Sequence, residues 1–178
     1  MNLYEEYLKT YKLEEVDSDG FFDLVGDLIA TEEVQSLKQF EQHLDIDRLQ
    51  HIFSVSYLTY KIAKKLGWNY KEATRAAVMH DLVYYDWRDG ETGGWHKGHG
   101  YKHPKYAAMN AKELCKETLT EREENMIRCH MWPFTVVPPK YKEGYIVLFS
   151  DKYCATREVI YSLSKKYKEK FLDDVKRI

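Results

Sequence analysis

The sequence predicts an all-α fold, and three observations carry that prediction. Apolar residues recur three and four apart along most of the chain, the spacing of one buried helix face. Helix start signals precede these stretches at Thr31, Asp47 and Thr120-x-x-Glu123, and stop signals follow at Gly67 and Pro133. No stretch alternates polar and apolar residues as a half-buried strand would. At 178 residues the chain fits a single domain with a sizeable core, built from about six to eight helices.

Composition narrows the function classes. The chain is 44% hydrophobic and 31% charged, with a net charge of −2. That balance is ordinary for a globular protein and argues against a nucleic-acid polymer as partner. Cys115, Cys129 and Cys154 are odd in number, sit in apolar or helical contexts and form no C-x-x-C pair. They are expected to be reduced packing residues of a cytoplasmic protein. Met1–Glu6 lacks the basic start and apolar core of a signal peptide, and no apolar run approaches membrane-spanning length. No membrane partner is expected. The charge and pattern leave the oligomeric state open.

Taken in order, Leu3, Tyr4, Tyr7, Leu8 and Tyr11 mark a short amphipathic helix over 3–13. A turn at Ser18-Asp19-Gly20 leads to a second apolar-periodic segment over 21–29. Thr31 caps a helix whose inner face carries Val34, Leu37 and Phe40. Asp47 caps the next, with Ile52, Val55, Leu58, Ile62 and Leu66 in a stripe and His51 facing inward beside it. Arg48 lies one turn before His51, where it is either a phosphate clamp or a surface cation. The helix over 71–85 presents Ala73, Ala76, Ala77 and His80, small residues that permit close approach of the His51 helix.

Residues 86–103 hold five of the nine glycines and no periodicity, the composition of a long binding loop or lid. His96, His99 and His103 are a weak ligand set on their own, because a glycine-rich loop is poorly preorganised. Pro104 fits the first position of a helix, which places His103 at that helix's start. Ala107, Ala108, Ala111, Leu114 and Cys115 form its inner face. The helix opened by Thr120 carries Met126, Ile127 and His130 on one face and ends before Pro133. Residues 144–167 are helical again and set Asp151 among Val147, Leu148, Cys154 and Ala155. A carboxylate there is costly unless paired, hydrogen-bonded or bound to a metal.

The site rests on His51, His80-Asp81, His103, His130 and Asp151, which place imidazoles and carboxylates at the ends or inner faces of separate helices. A lone His-Asp pair is common and means little, and a single inward histidine is usually a satisfied core residue. Six such groups on converging helices suit one or two divalent ions of Fe, Mn, Zn or Mg. Open coordination positions would hold water, as in catalytic sites. Trp95, Tyr101 and Trp132 are candidates to stack on a substrate base, or are packing residues near a pocket.

The pattern His51…His80-Asp81…Asp151 resembles that of the HD-domain metal-dependent phosphohydrolases, over roughly residues 47–158. His103-Pro104 and His130 resemble the two further histidines of the binuclear branch. The segment Asp151-Lys152-Tyr153-Cys154-Ala155-Thr156-Arg157 is similar to that around the last Asp of HD-type dinucleoside polyphosphate hydrolases. The resemblance implies a single HD-type helical domain, with 1–46 as helical cover, 47–158 as core and 159–178 as a C-terminal helix. It also implies that Asp81 bridges two ions. His51, His80 and Asp151 would hold the first ion, and His103 and His130 the second. Arg48, Lys152 and Arg157 become candidates for phosphate contact beside Asp81. Leu82-Val83-Tyr84 stands where many binuclear members carry Gly-Lys, and neither a paired His after His130 nor a Gly-Tyr-Pro occurs, which disfavours cyclic dinucleotides. The implied function is hydrolysis of a phosphate ester or anhydride in a nucleotide or other small phosphorylated metabolite. The alternative is a non-catalytic helical sensing or interaction module that retains the metal cage.

Overall fold

The computed structural model describes residues 18–43, 46–88 and 98–176, with side chains described from residue 20 to 164. The helix expected over 3–13 lies outside the described residues, as do Trp95 and His96. Seven α-helices carry the described fold: α1 (Ser18–Ile29), α2 (Glu32–Gln35), α3 (Arg48–Lys65), α4 (Tyr70–Met79), α5 (His99–Cys115), α6 (Glu121–Cys129) and α7 (Lys142–Lys176). The all-α prediction holds.

Local signals set most of the boundaries. Asp47 Oδ1 accepts from the Gln50 amide at 2.8 Å, and Gln50 Oε1 accepts from the Asp47 amide at 3.1 Å. That reciprocal capping box opens α3. Gly67, at φ 64°, follows the last turn of α3 in the left-handed conformation that glycine adopts without steric penalty. Thr120 and Glu123 form a second capping box at the start of α6. Asn69 caps α4, and Thr31 caps α2.

Three differences from the sequence reading lie at or beside the site. The helix expected over 71–85 ends at Met79, so His80 is its C-cap and Asp81 lies just beyond it. Pro104 does not start its helix: α5 begins at His99, behind Gly98 at φ 75°, and Pro104 is its sixth residue. At that position the proline forgoes one intrahelical bond, the one its amide would make to the Gly100 carbonyl. Glu41–His43 and Ile46–Asp47 also form an antiparallel ribbon, β1 and β2, where no strand was expected.

Helices α3 and α4 form the most extensive pair, and α3 also packs on α7. Ala73, Ala76 and Ala77 are fully buried, which lets α4 lie close to α3. Helix α4 further contacts α1 and α6, and α6 contacts α5. Under α1, Phe21 meets Tyr57 and Tyr60 edge-on at 5.3 and 5.7 Å, within the range favoured by aromatic pairs. This packing directs the C-terminal ends of α4 and α6, the start of α5 and the middle of α7 toward one point. Cys115, Cys129 and Cys154 are buried free thiols, as expected.

Gly144 faces the link before α7, and a Cβ there would stand 2.6 Å from Pro139 Cβ. Gly144→Ala is expected to cost about 1–3 kcal/mol through overpacking. Gly26→Ala, with nothing within 4 Å of the added carbon, is expected to be neutral or stabilising by up to about 1 kcal/mol. Urea unfolding of both variants measures the contrast.

Candidate metal centre

Helix ends supply the histidines in a repeated way. His80 is the C-cap of α4, and its Nδ1 donates to the Ala77 carbonyl at 2.8 Å. His130 is the C-cap of α6, and its Nδ1 donates to the Ile127 carbonyl at 2.7 Å. In both, the ring reaches back three residues. His103, in the second turn of α5, donates Nδ1 to the His99 carbonyl at 3.0 Å. His51, in α3, donates Nδ1 to Glu158 Oε2 at 2.8 Å. A carbonyl or carboxylate can only accept, so each bond places a proton on Nδ1, and Nε2 is then the acceptor and potential ligand atom whenever the ring is neutral. All four Nε2 atoms turn toward Asp81 and Asp151.

Asp81 divides its carboxylate between two lobes. Its Oδ2 lies 3.7 Å from His80 Nε2. On the same side, Asp151 Oδ1 is 3.2 Å from His51 Nε2 and 3.8 Å from His80 Nε2. Asp81 Oδ1 faces the other way, 3.3 Å from His103 Nε2 and 3.6 Å from His130 Nε2. The structure thus brings together all six residues read from the sequence as candidate ligands, every one of them buried. Among the described residues, His51–His80–Asp81 and Asp81–His103–His130 are two groups whose ligand atoms lie within 4.8 Å of one another.

The donor set fits a cation on two counts. His80 Nε2 is buried and has no hydrogen-bond partner, an arrangement that buried polar atoms rarely tolerate. His103 Nε2 and His130 Nε2 stand 2.9 Å apart, although the Nδ1 bonds of both rings leave these atoms as acceptors. Two facing lone pairs at that distance need a shared proton or a cation between them.

Electrostatics follow the same geometry. Burial would raise the pKa of Asp81, but the charges and hydrogen bonding of His80, His103 and His130 hold it well below the usual carboxylate range. Asp151 is held low against its own burial by the His51 hydrogen bond, by the His80 ring beside it and by the Lys152 charge. Burial lowers the pKa of His130, and the neighbouring His103 and His80 lower it further, to about 3. His51 behaves oppositely. Burial opposes its charged form, yet Glu158 and Asp151 outweigh burial and raise its pKa to about 10.

Above the two lobes opens a cleft of ≈ 280 Å³. Asp81, His103, His130 and Asp151 lie in its walls, with Gln42, His43, Trp87, His99, Met131 and Lys152 around them. Lys152, a sequence candidate for phosphate contact, is in place: its half-exposed ammonium is 2.7 Å from Asp151 Oδ2.

The other candidates sit elsewhere. Arg48 is buried rather than poised as a phosphate clamp, and its donors go to Gln42 and to the Val83 and Tyr85 carbonyls. Tyr101 is exposed and stacks on Phe134 at 4.3 Å, and Trp132 meets Tyr145 edge-on at 5.9 Å. Neither these two nor Arg157, half-buried on α7, lies in the described cleft wall.

Sequence reasoning also missed residues. The spacing of the chain already places Glu158 on the Asp151 face of α7, seven residues on, but not its role: it is buried there and orients His51. His43, with its Nε2 3.9 Å from Glu158 Oε2, and Gln42 belong to the unexpected ribbon.

These features define a helical domain organised around a two-lobed imidazole–carboxylate centre. The chain belongs to the HD domain family, whose family model matches residues 48–156. Its members are in general metal-dependent hydrolases. No curated protein and no solved structure gives a significant match to the chain. No helix among the described residues is long and apolar enough to cross a membrane.

The titration of the metal-free protein follows from these shifts. An unfolded chain protonates His130 near pH 6.5, whereas the folded chain does so near 3. The unfolded state therefore binds more protons between those values, and stability falls as pH drops through that window. His51, raised to about 10, contributes stability that is complete below about pH 6.5 and lost as pH rises toward 10. Thermal melts of chelator-treated protein from pH 4 to 10 are expected to fall on both sides of neutrality. His130→Asn should flatten the acid limb, and Glu158→Gln the alkaline limb.

Proposed function

We propose that this chain is a metal-dependent phosphohydrolase acting on a nucleotide or another small phosphorylated metabolite. The observation that carries this reading is Asp81, whose two carboxylate oxygens face two separate sets of buried imidazole lone pairs. In it, His51, His80, Asp151 and Asp81 would hold one divalent ion, and Asp81 with His103 and His130 would hold a second. Bound divalent ions supply a water of lowered pKa and offset negative charge on a phosphoryl group.

The protein's own groups do the rest. The Nδ1 hydrogen bonds of the four histidines fix ring orientation and tautomer, so no reorganisation is needed at the moment of reaction. The depressed pKa values of Asp81 and Asp151 keep both carboxylates ionised at neutral pH. Lys152 places an ammonium at the cleft wall, where it pairs with phosphate oxygens of the substrate. The cleft volume suits a phosphoryl group with a compact appendage, and Trp87 and His99 offer ring surfaces to that appendage.

Elemental analysis and turnover test this reading. The purified chain is expected to carry divalent metal and to hydrolyse at least one member of a panel of nucleoside mono-, di- and polyphosphates and sugar phosphates. Asp81→Asn is expected to lower both metal content and turnover by at least about 100-fold. Lys152→Met is expected to raise KM about 10- to 100-fold, the loss of one charged hydrogen bond, with metal content unchanged. Turnover indifferent to chelators and to Asp81→Asn would exclude the proposal.

A further inference from the structure

Asp81 lies beyond the last turn of α4, where no helical hydrogen bond limits its side chain. Its carboxylate nevertheless keeps one oxygen toward each lobe, so something outside the imidazole cluster must set its rotation. The ribbon supplies it. Gln42 Nε2 donates to Asp81 Oδ2 at 2.6 Å, and Gln42 Oε1 accepts from Arg48 Nε at 2.8 Å. A guanidinium only donates. The amide oxygen therefore has to face Arg48, and the amide NH₂ has to face Asp81.

Arg48 is itself immobilised. It is 1% exposed, and its Nη1 donates to the Val83 carbonyl at 2.6 Å and the Tyr85 carbonyl at 3.1 Å. Its guanidinium stands 5.2 Å from the centre of the Phe40 ring, and its backbone amide donates to the Phe40 carbonyl at 2.8 Å. One cation thus ties the ribbon to the first turn of α3 and to the chain just after Asp81. The ribbon is gripped a second time by Arg88, which pairs with the Glu41 carboxylate.

We propose that Gln42, oriented by Arg48, is the positioning residue that sets the rotation of the Asp81 carboxylate and keeps its oxygens divided between the two lobes. This rests on the metal reading above. Gln42 occupies one lone pair of Oδ2 and leaves the other toward His80, while Oδ1 faces His103 and His130. Without that donor, the carboxylate can turn about its Cβ–Cγ bond and give both oxygens to one lobe.

Mn(II) titration of the full chain, followed by electron paramagnetic resonance and paired with melts of the metal-free protein, tests the inference. Wild type is expected to take up two ions with the exchange-coupled spectrum of a shared carboxylate. Gln42→Met matches the side chain in length and lacks the donor. It is expected to weaken uptake of one ion about 10- to 100-fold and to lose the coupled spectrum, while uptake of the other ion stays close to wild type and the metal-free melt, lowered because Arg48 Nε also loses its acceptor, stays a single cooperative transition. Gln42→Met with wild-type affinity and coupling overturns this inference alone. Uptake of both ions weakened equally, or a metal-free chain with no cooperative melt, marks Gln42 as a fold support and also overturns it. Wild type that takes up fewer than two ions overturns the two-lobed metal reading and this inference together.

Discussion

The structure depends on a carboxylate that is buried without being neutralised by a direct ion pair to lysine or arginine. Asp81 stays ionised only because His80, His103 and His130 surround it and an amide donates to it. Ionised carboxylates are costly to remove from water, so those contacts must be held in place by groups that do not move. The helix ends do this. His80 and His130 each close a helix by returning Nδ1 to the carbonyl three residues back, so one bond both satisfies a helix-end acceptor and aims Nε2 at the centre. Termination of α4 and α6 and orientation of two imidazoles are a single structural event.

Around this centre lies a shell of groups that never need to touch a ligand. Glu158 fixes His51, Gln42 fixes Asp81, and Arg48 fixes Gln42. Arg48 shows how a buried cation is accommodated without a carboxylate beside it. Its charge is shared among two backbone carbonyls, an amide oxygen and the face of Phe40, although Nη2 keeps no partner. A buried charge satisfied by neutral acceptors is sensitive to geometry. That ties the ribbon closely to the segment after Asp81.

Much of this was legible in the sequence, for reasons that differ by residue. Asp47, Gly67 and Thr120–Glu123 work through neighbours within a few positions, so their signals survive in the linear chain. The six residues gathered at the centre stood out because their types are rare on buried helix faces. The ribbon was not legible, since strands of three and two residues are too short for alternation to appear. Gln42 and His43 were lost with it. Arg48 was misplaced because its acceptors lie 35 and 37 residues away, and nothing local separates a buried arginine from an exposed one at a helix start. The start of α5 was misjudged because Pro104 is a strong local mark, while the turn that opens the helix belongs to Gly98. Glu158 is the instructive case: its spacing puts it on the Asp151 face, but nothing local says that its partner is His51, 107 residues away.

On the proposed reading, charge accounts for how the same centre takes both a cation and a phosphate. Asp81, Asp151 and Glu158 crowd three carboxylates into a space with four imidazoles whose Nε2 atoms face inward, and among the described residues Lys152 brings a cation to the cleft. Such a cluster attracts cations and, by itself, repels phosphate oxygens, because opposed charges interact strongly where water is scarce. On the proposed reading, binding is therefore ordered. Cation uptake reverses the sign of the field in the lower cleft, and only then does a phosphoryl group find a favourable place between that field and the Lys152 ammonium. Lys152 alone cannot replace the cations, because its charge is already engaged with Asp151 at 2.7 Å.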